Sequence, residues 1–258
     1  MDAHAGQDAA YARLAPRPVV LVADGRGSSD HSEIGARAAP DCVAATVDQC
    51  EAILAPCLDT GNFPAEVRAA RWQQFAETLY QALVKRQEDL ARIHALTADA
   101  LEFTLAVAVV GSRYAGIIQV GDSCLALERR REVTLALPPG RGEFANETHF
   151  VSPREGSASR MVARIFSMRG VTGLVAFTDG VAPLWVHSRT LAVAPGVGRI
   201  LRNLGDQWWD QPRLVSFLNL PVWREQDDDD KGVAYLAKRI VRRAEENADA
   251  IDRRFSTQ

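Results

Sequence analysis

The chain has 258 residues, of which 47% are hydrophobic and 24% are charged, a balance typical of a globular protein with a sizeable core. Its formal net charge of −3 indicates neither nucleic acid nor an anionic membrane surface as a partner. The apolar runs at 105–110 and 174–177 are far shorter than the roughly 20 residues that cross a bilayer.

The cysteines and the N-terminus indicate the compartment. The four cysteines have no Cys-x-x-Cys spacing, which argues against a zinc site or a disulfide framework. The first eight residues contain neither the basic nor the apolar region of a secretory signal. We expect one cytoplasmic domain over residues 1–258, with a polar tail over about 243–258.

The first predicted element is a buried, valine-rich strand that begins at Val19 and stops abruptly at Asp24-Gly25. An aspartate in this position places a carboxylate at the rim of a sheet, and the following glycine leaves the backbone open to close approach. Carboxylate and carbonyl oxygens are the ligands that hard metal ions prefer. The same pattern recurs at Asp179-Gly180, which follows a second apolar run.

Helices are predicted in the next part of the chain. Ser32 can open a helix that we expect to end at Pro40, because proline lacks the N–H that a helix interior uses. A second helix is predicted over 41–54 and a long third helix over 64–92. The third helix carries apolar side chains at helical spacing, which predicts a core-facing stripe: Trp72, Phe75, Leu79, Ala82, Leu83 and Leu90.

Short β-type runs follow the long helix. Runs over 103–110, 114–120 and 123–128 predict an antiparallel meander, and the arginines at 129–131 fall where a turn is expected. The remaining predicted elements are helices over 181–187, 198–204 and 212–220 and a last strand over 232–240. Helices before and after a group of strands indicate a sheet core covered by helices.

Several aspartates lie at the end of a predicted strand or just before the start of one: Asp8, Asp24, Asp122, Asp179 and the run 227–230. Each is unremarkable alone, since Asp-Gly is typical of a turn and a four-aspartate run is typical of a solvated loop. Together they would converge at one sheet edge, where like charges need cations between them. An all-oxygen set favours Mg²⁺ or Mn²⁺, and two such ions can activate a water and clamp a phosphoryl group.

The ordered combination of short motifs identifies a family resemblance. The motifs are Gln7-Asp8, Val22-Ala23-Asp24-Gly25-x-Gly27-Ser28, Ser32-Glu33-Ile34-Gly35-Ala36-Arg37, Gly121-Asp122-Ser123, Phe144-Ala145-Asn146-Glu147-Thr148, Phe177-Thr178-Asp179-Gly180 and Asp228-Asp229-Asp230-Lys231. In this order the chain resembles the bacterial branch of the protein phosphatase 2C family of metal-dependent serine/threonine phosphatases. The resemblance implies an α+β fold, a four-layer α-β-β-α sandwich of two antiparallel sheets flanked by helices.

The resemblance also implies a set of metal ligands. Asp24 would bridge two Mg²⁺ or Mn²⁺ ions, and the carbonyl of Gly25 would bind one of them. Asp179 and one aspartate of the last run would complete a metal shell; Asp229 aligns best, with Asp228 as the alternative.

Two further aspartates and one arginine complete the predicted site. Asp8 matches an early acidic ligand or its water-mediated neighbour, and Asp122 matches a third, weaker metal site. The nucleophile implied is a water bridging the ions. Asp24 and Asp179 would be catalytic residues because they hold the ions that activate this water. Arg26 stands where many members have histidine; it cannot act as an acid near neutral pH, but we expect it to be a catalytic residue that binds phosphate.

The function implied is hydrolysis of phosphoserine or phosphothreonine in proteins, with a phosphorylated protein as substrate and a serine/threonine kinase as a candidate partner. One alternative is a catalytically degenerate domain that binds a phosphorylated partner or a ligand. Arg26 favours that alternative. Gly232 stands where the family commonly has Thr or Ser, which would loosen the support of Asp229. A phosphatase of small metabolites is a second alternative, because the sequence does not show what the specificity loops bind.

Overall fold

Two antiparallel β-sheets form the centre of the computed structural model, which describes residues 6–140, 148–154, 161–224 and 229–238. The larger sheet has the order β1-β2-β3-β4-β7, with β1 at Asp8–Arg13, β2 at Val19–Gly25, β3 at Phe103–Val110, β4 at Tyr114–Val120 and β7 at Met161–Ser167. The smaller sheet has the order β6-β5-β8-β9, with β5 at Cys124–Arg129, β6 at Glu132–Leu135, β8 at Val171–Phe177 and β9 at Val233–Ala237.

Helices flank both sheets. Those that precede the central strands are α1 at Ser32–Gln49, α2 at Glu51–Leu58, α3 at Ala65–His94 and a short 3₁₀ helix at Ala98–Leu101. Those that follow β8 are α4 at Ala182–Trp185, α5 at Pro195–Gly205, α6 at Gln211–Leu218 and α7 at Pro221–Arg224.

Strand β2 shows how the layers arise from the sequence. Its side chains alternate between the two faces of the sheet. Val19, Leu21 and Ala23 pack with the side chains of α1–α3, whereas Val20 and Val22 pack against the smaller sheet. A third apolar cluster joins the other face of the smaller sheet to α4–α6. These clusters define helix, sheet, sheet and helix layers, which confirms the predicted four-layer sandwich.

The predicted core stripe of the long helix is confirmed at Trp72. Its ring is buried, and its indole N–H donates to the carbonyl of Ile117 in β4 at 3.1 Å. Gly116 lies directly beneath the ring, and a Cβ atom at that position would overlap it. The contact therefore fixes α3 against the larger sheet.

The predicted helix break at Pro40 is wrong, because α1 continues through that residue. Buried side chains lie on both sides of it, including Ala36 and Val43, and this packing outweighs the missing backbone hydrogen bond. The chain breaks at Cys50 instead, whose carbonyl accepts from the N–H groups of Ile53 and Leu54 and starts α2.

The predicted meander is also wrong in part. Strands β3 and β4 pair as expected, but β5 crosses to the smaller sheet and pairs with β6 and β8. Gly121, with a φ of 82°, lies in the connection, where a left-handed backbone favours glycine. Strands β6 and β7 were not predicted, and no bounds were predicted for β1, because these segments lack a long β-branched run.

The structure also bears on the predicted turn, the cysteines and the C-terminal tail. The turn predicted at 129–131 is confirmed at Arg130 and Arg131, which have left-handed φ angles of 53° and 70°, whereas Arg129 ends β5. All four cysteines are free thiols. The predicted tail over 243–258 lies outside the described residues. Within the described ranges, no helix combines the length and the apolar character needed to cross a membrane.

Candidate metal centre

The first two aspartates of the site are neighbours across the larger sheet. Asp8 begins β1, Asp24 lies near the end of β2, and the two residues are directly paired in the antiparallel ladder. Directly opposed residues place their side chains on the same face. The N–H of Gly25 donates to the carbonyl of Gln7 at 3.2 Å, so the ladder holds the backbone beside both carboxylates.

Thr178 joins this pair to the smaller sheet. It follows β8 directly and precedes Asp179 in the sequence, and it is fully buried. Its hydroxyl donates to Oδ2 of Asp8 at 2.6 Å. The same hydroxyl accepts from the N–H of Gly232 at 2.9 Å, just before β9. One threonine therefore fixes Asp8, the position of Asp179 and the entry to β9 relative to one another.

Electrostatics show that four of the predicted ligands share one region. Burial raises the pKa of Asp24 far above its ordinary value, and the charges of Asp179, Asp8 and Asp229 raise it further. Burial also raises the pKa of Asp8; the hydrogen bond from Thr178 opposes this shift. Without a cation, these carboxylates cannot all be charged at neutral pH.

The last acidic run brings two aspartates to the site, the predicted ligand Asp229 and also Asp230. Asp229 is one of the charges that act on Asp24, whereas Asp230 accepts a hydrogen bond from the N–H of Gln7 at 2.5 Å. Asp230 was not among the predicted ligands, although it belongs to the motif that predicted them. The alternative ligand, Asp228, lies outside the described residues, as do positions 144–147 of the Phe144–Thr148 motif.

Asp122 is linked to the carboxylate group through Cys124. Burial raises the pKa of the Cys124 thiol to about 12, and the charges of Asp122 and Asp179 contribute to this shift, so both aspartates lie near the thiol. Thr148 donates to Oδ2 of Asp122 at 3.1 Å, which holds these two residues together. The role of Asp122 in a third, weaker metal site stays a prediction.

Arg26 follows Asp24 by two residues, and its guanidinium contacts three side chains of the protein. Its Nη1 donates to Oε2 of Glu102 at 2.7 Å, and its Nε donates to the hydroxyl of Ser28 at 2.9 Å. The guanidinium lies over the ring of Phe150, 5.4 Å from its centre. Glu102 is buried and was not predicted, because a lone glutamate before a strand carries no sequence signal.

The donor chemistry of the site fits a hard divalent ion. Its side chains are carboxylates, and the charge repulsion among Asp8, Asp24, Asp179 and Asp229 is what such an ion would relieve. Within the described ranges, no three acidic, histidine or cysteine side chains are already spaced as they would be around a bound metal.

Comparison with known sequences shows the family. The chain matches the family model described as Protein phosphatase 2C over residues 2–219, and it belongs to that family. It is 32% identical over 125 residues to serine/threonine-protein phosphatase 3 of Escherichia coli (strain K12). That match covers 46% of this chain and 48% of the relative, so it spans about half of the relative's length.

Solved structures share the fold. The catalytic domain of the serine threonine protein phosphatase PstP, in complex with two manganese ions, superposes with a TM-score of 0.57 at 12% identity and covers 92% of this chain and 93% of that chain. The serine/threonine phosphatase Stp1 from Staphylococcus aureus has a TM-score of 0.56 at 14% identity, covering 91% and 89% respectively. PppA, a regulatory component of T6SS in Pseudomonas aeruginosa, has a TM-score of 0.53 at 13% identity, covering 91% of each chain.

Proposed function

We propose that the protein is a Mg²⁺- or Mn²⁺-dependent phosphatase that removes phosphate from phosphoserine and phosphothreonine residues of proteins. One observation carries the proposal: aspartates from both sheets collect at one end of the sandwich, where burial and mutual repulsion raise the pKa of Asp24. Membership of the protein phosphatase 2C family supports the same reaction class.

The proposed ligands are Asp8, Asp24, the carbonyl of Gly25, Asp179 and one aspartate of the last run, with Asp122 at a third site. Two bound divalent ions would neutralise the phosphate and activate a water for in-line attack. The chain's own contribution is positioning. The β1–β2 ladder fixes Asp8 against Asp24, and Thr178 holds Asp8 relative to the loop that carries Asp179.

Arg26 is proposed to orient the phosphate. Its ion pair with Glu102 and its contact with Ser28 fix the guanidinium of this residue, which follows Asp24 by two positions. A planar guanidinium has five N–H donors, so these two partners leave donors that can bind phosphate oxygens.

The test is hydrolysis of p-nitrophenyl phosphate and a phosphothreonine peptide by chelator-treated protein, with Mn²⁺ or Mg²⁺ restored, beside Asp179→Asn. We expect turnover only with metal, and a loss of at least about 10²-fold in the variant, because one lost ligand disturbs both positioning and charge neutralisation. Equal turnover with and without metal would overturn the proposal.

The alternative, a domain that binds phosphorylated partners without turnover, is favoured by one observation. Arg26 is already paired with the buried carboxylate of Glu102, so it is less available to follow a reacting phosphate. Under this alternative, folded and metal-loaded protein would bind the phosphothreonine peptide but leave it intact over hours.

A further inference from the structure

A groove of about 770 Å³ lies beside the candidate metal centre. Its walls are the edge strands of both sheets, β1 and β9, together with one side of α6. This volume lies within the range of about 300–1,000 Å³ that is typical of ligand sites.

The strands that line the groove have unpaired edges in the described part of the chain. There β1 pairs only with β2, and β9 pairs only with β8. Both strands line the groove along nearly their whole length. An edge strand presents a row of free N–H and C=O groups, to which an extended peptide can add as a further strand.

The groove is also apolar. Leu214 and Leu218 of α6 are buried at its base, whereas Val215 and Leu14 remain 49% and 75% exposed. Exposed apolar side chains grouped around a groove are typical of a binding surface. The side chain of Arg13, which also lines the groove, is neutralised by Asp48 at 2.6 Å.

One end of the groove is continuous with the metal centre. Asp8, Lys231 and Gly232 line that end, and Asp8 is paired with Asp24. Leu14 and Ala237 line the other end, at the far termini of β1 and β9. A chain lying in the groove would therefore run directly away from the carboxylates.

We infer that this groove binds the stretch of the phosphoprotein substrate beside the phosphorylated residue, in an extended conformation and with apolar side chains at alternate positions. The inference rests on the proposed function and names the substrate class within it. The six residues of β1 span about 20 Å, so about six substrate residues fit along the groove. Alternation follows from strand geometry, since every second side chain would face α6.

The test compares three labelled phosphothreonine peptides of equal length. One carries alternating valine and serine on the N-terminal side of the phosphothreonine, one carries them on the C-terminal side, and one carries only serine. We expect one valine peptide to bind about tenfold tighter by fluorescence anisotropy, and to have a correspondingly lower KM, because partial burial of its valine side chains contributes about the 1.4 kcal/mol that a tenfold change requires.

Groove variants locate the effect. Val215→Glu and Leu14→Glu should each remove most of that preference and leave hydrolysis of p-nitrophenyl phosphate unchanged. Val67→Glu and Ile93→Glu are the matched controls, because these residues are similarly exposed, at 41% and 71%, but lie on α3. The controls should retain the preference.

The outcomes separate the two proposals. Equal binding of all three peptides, or equal loss in groove and control variants, would overturn the groove assignment even if p-nitrophenyl phosphate is hydrolysed. Valine-dependent binding that Val215→Glu abolishes would support the groove even if no hydrolysis occurs, and only the proposed reaction would then fail. Formation of a dimer that Val215→Glu dissociates, without peptide preference, would assign the groove to a second copy and overturn the inference.

Discussion

Asp24 combines burial with three neighbouring carboxylates, and this combination is unfavourable in a protein without bound cations. Its folded-state pKa lies above the unfolded value of about 4. Folding of the metal-free chain therefore takes up protons between these two values, and the free energy of unfolding falls as the pH rises through that window. The residue that serves the proposed reaction is thus a source of instability.

The first prediction is that Asp24→Asn stabilises the metal-free protein while abolishing its activity. The amide needs no proton uptake on folding, so we expect a gain of about 1–3 kcal/mol in the free energy of unfolding at pH 8. The gain should shrink at pH 5, where the aspartate is more readily protonated. Urea unfolding of chelator-treated protein measures both values.

The control for this prediction is Asp41→Asn, an exposed aspartate of α1. It should change stability by less than about 0.5 kcal/mol at either pH. A destabilised Asp24→Asn protein at pH 8 would show that the carboxylate cluster is not under repulsion.

Thr178 supports a second prediction, because it links both sheets at the site. Thr178→Val keeps the shape but removes the hydroxyl, leaving the buried N–H of Gly232 without this acceptor. We expect a loss of about 1–3 kcal/mol in stability and weaker metal binding. Thr178→Ser keeps the hydroxyl and should restore metal binding; equal behaviour of the two variants would contradict the proposed role.

Elements are held together by individual close contacts, as the packing of α3 on β4 shows. Gly116→Ala should cost about 1–3 kcal/mol in stability, because the new methyl overlaps the buried Trp72 ring. Gly196→Ala is the matched control, since nothing lies within 4 Å of a Cβ at that helical position. It should be neutral or stabilising by up to about 1 kcal/mol. Thermal or urea unfolding distinguishes the two.

The sequence predicts elements well where the local pattern and tertiary packing agree. The stripe that includes Trp72 and the valine-rich β2 are examples, since each must bury its apolar residues whatever the rest of the chain does. Pro40 shows the opposite case, because buried neighbours keep it inside α1. The crossing of β5 to the second sheet depends on contacts with β8, which local spacing does not encode.

The whole molecule brings together residues from opposite ends of the sequence. Gln7 and Asp230 are hydrogen-bonded although 223 positions separate them. The sequence could predict that Asp8, Asp24, Asp179 and Asp229 would come together, because each stands in a recognisable motif. It could not predict that Glu102 pairs with Arg26 or that Asp230 contacts Gln7, since these partners depend on the folded arrangement.

Metal binding should stabilise the entire sandwich, because the proposed ligands come from both sheets. We expect saturating Mn²⁺ to raise the unfolding midpoint of chelator-treated protein by about 5–10 °C. Differential scanning fluorimetry measures the shift. It should vanish in Asp179→Asn and persist in Asp41→Asn; an equal shift in both variants would place the ion elsewhere.

Titration of chelator-treated protein with Mn²⁺ in a calorimeter measures the metal centre independently of any substrate. We expect about two ions per chain, with affinity at least about tenfold weaker in Asp179→Asn and unchanged in Asp41→Asn. Folded protein that takes up no Mn²⁺, or that binds it equally in Asp179→Asn, would contradict the assignment of this carboxylate cluster as a metal centre.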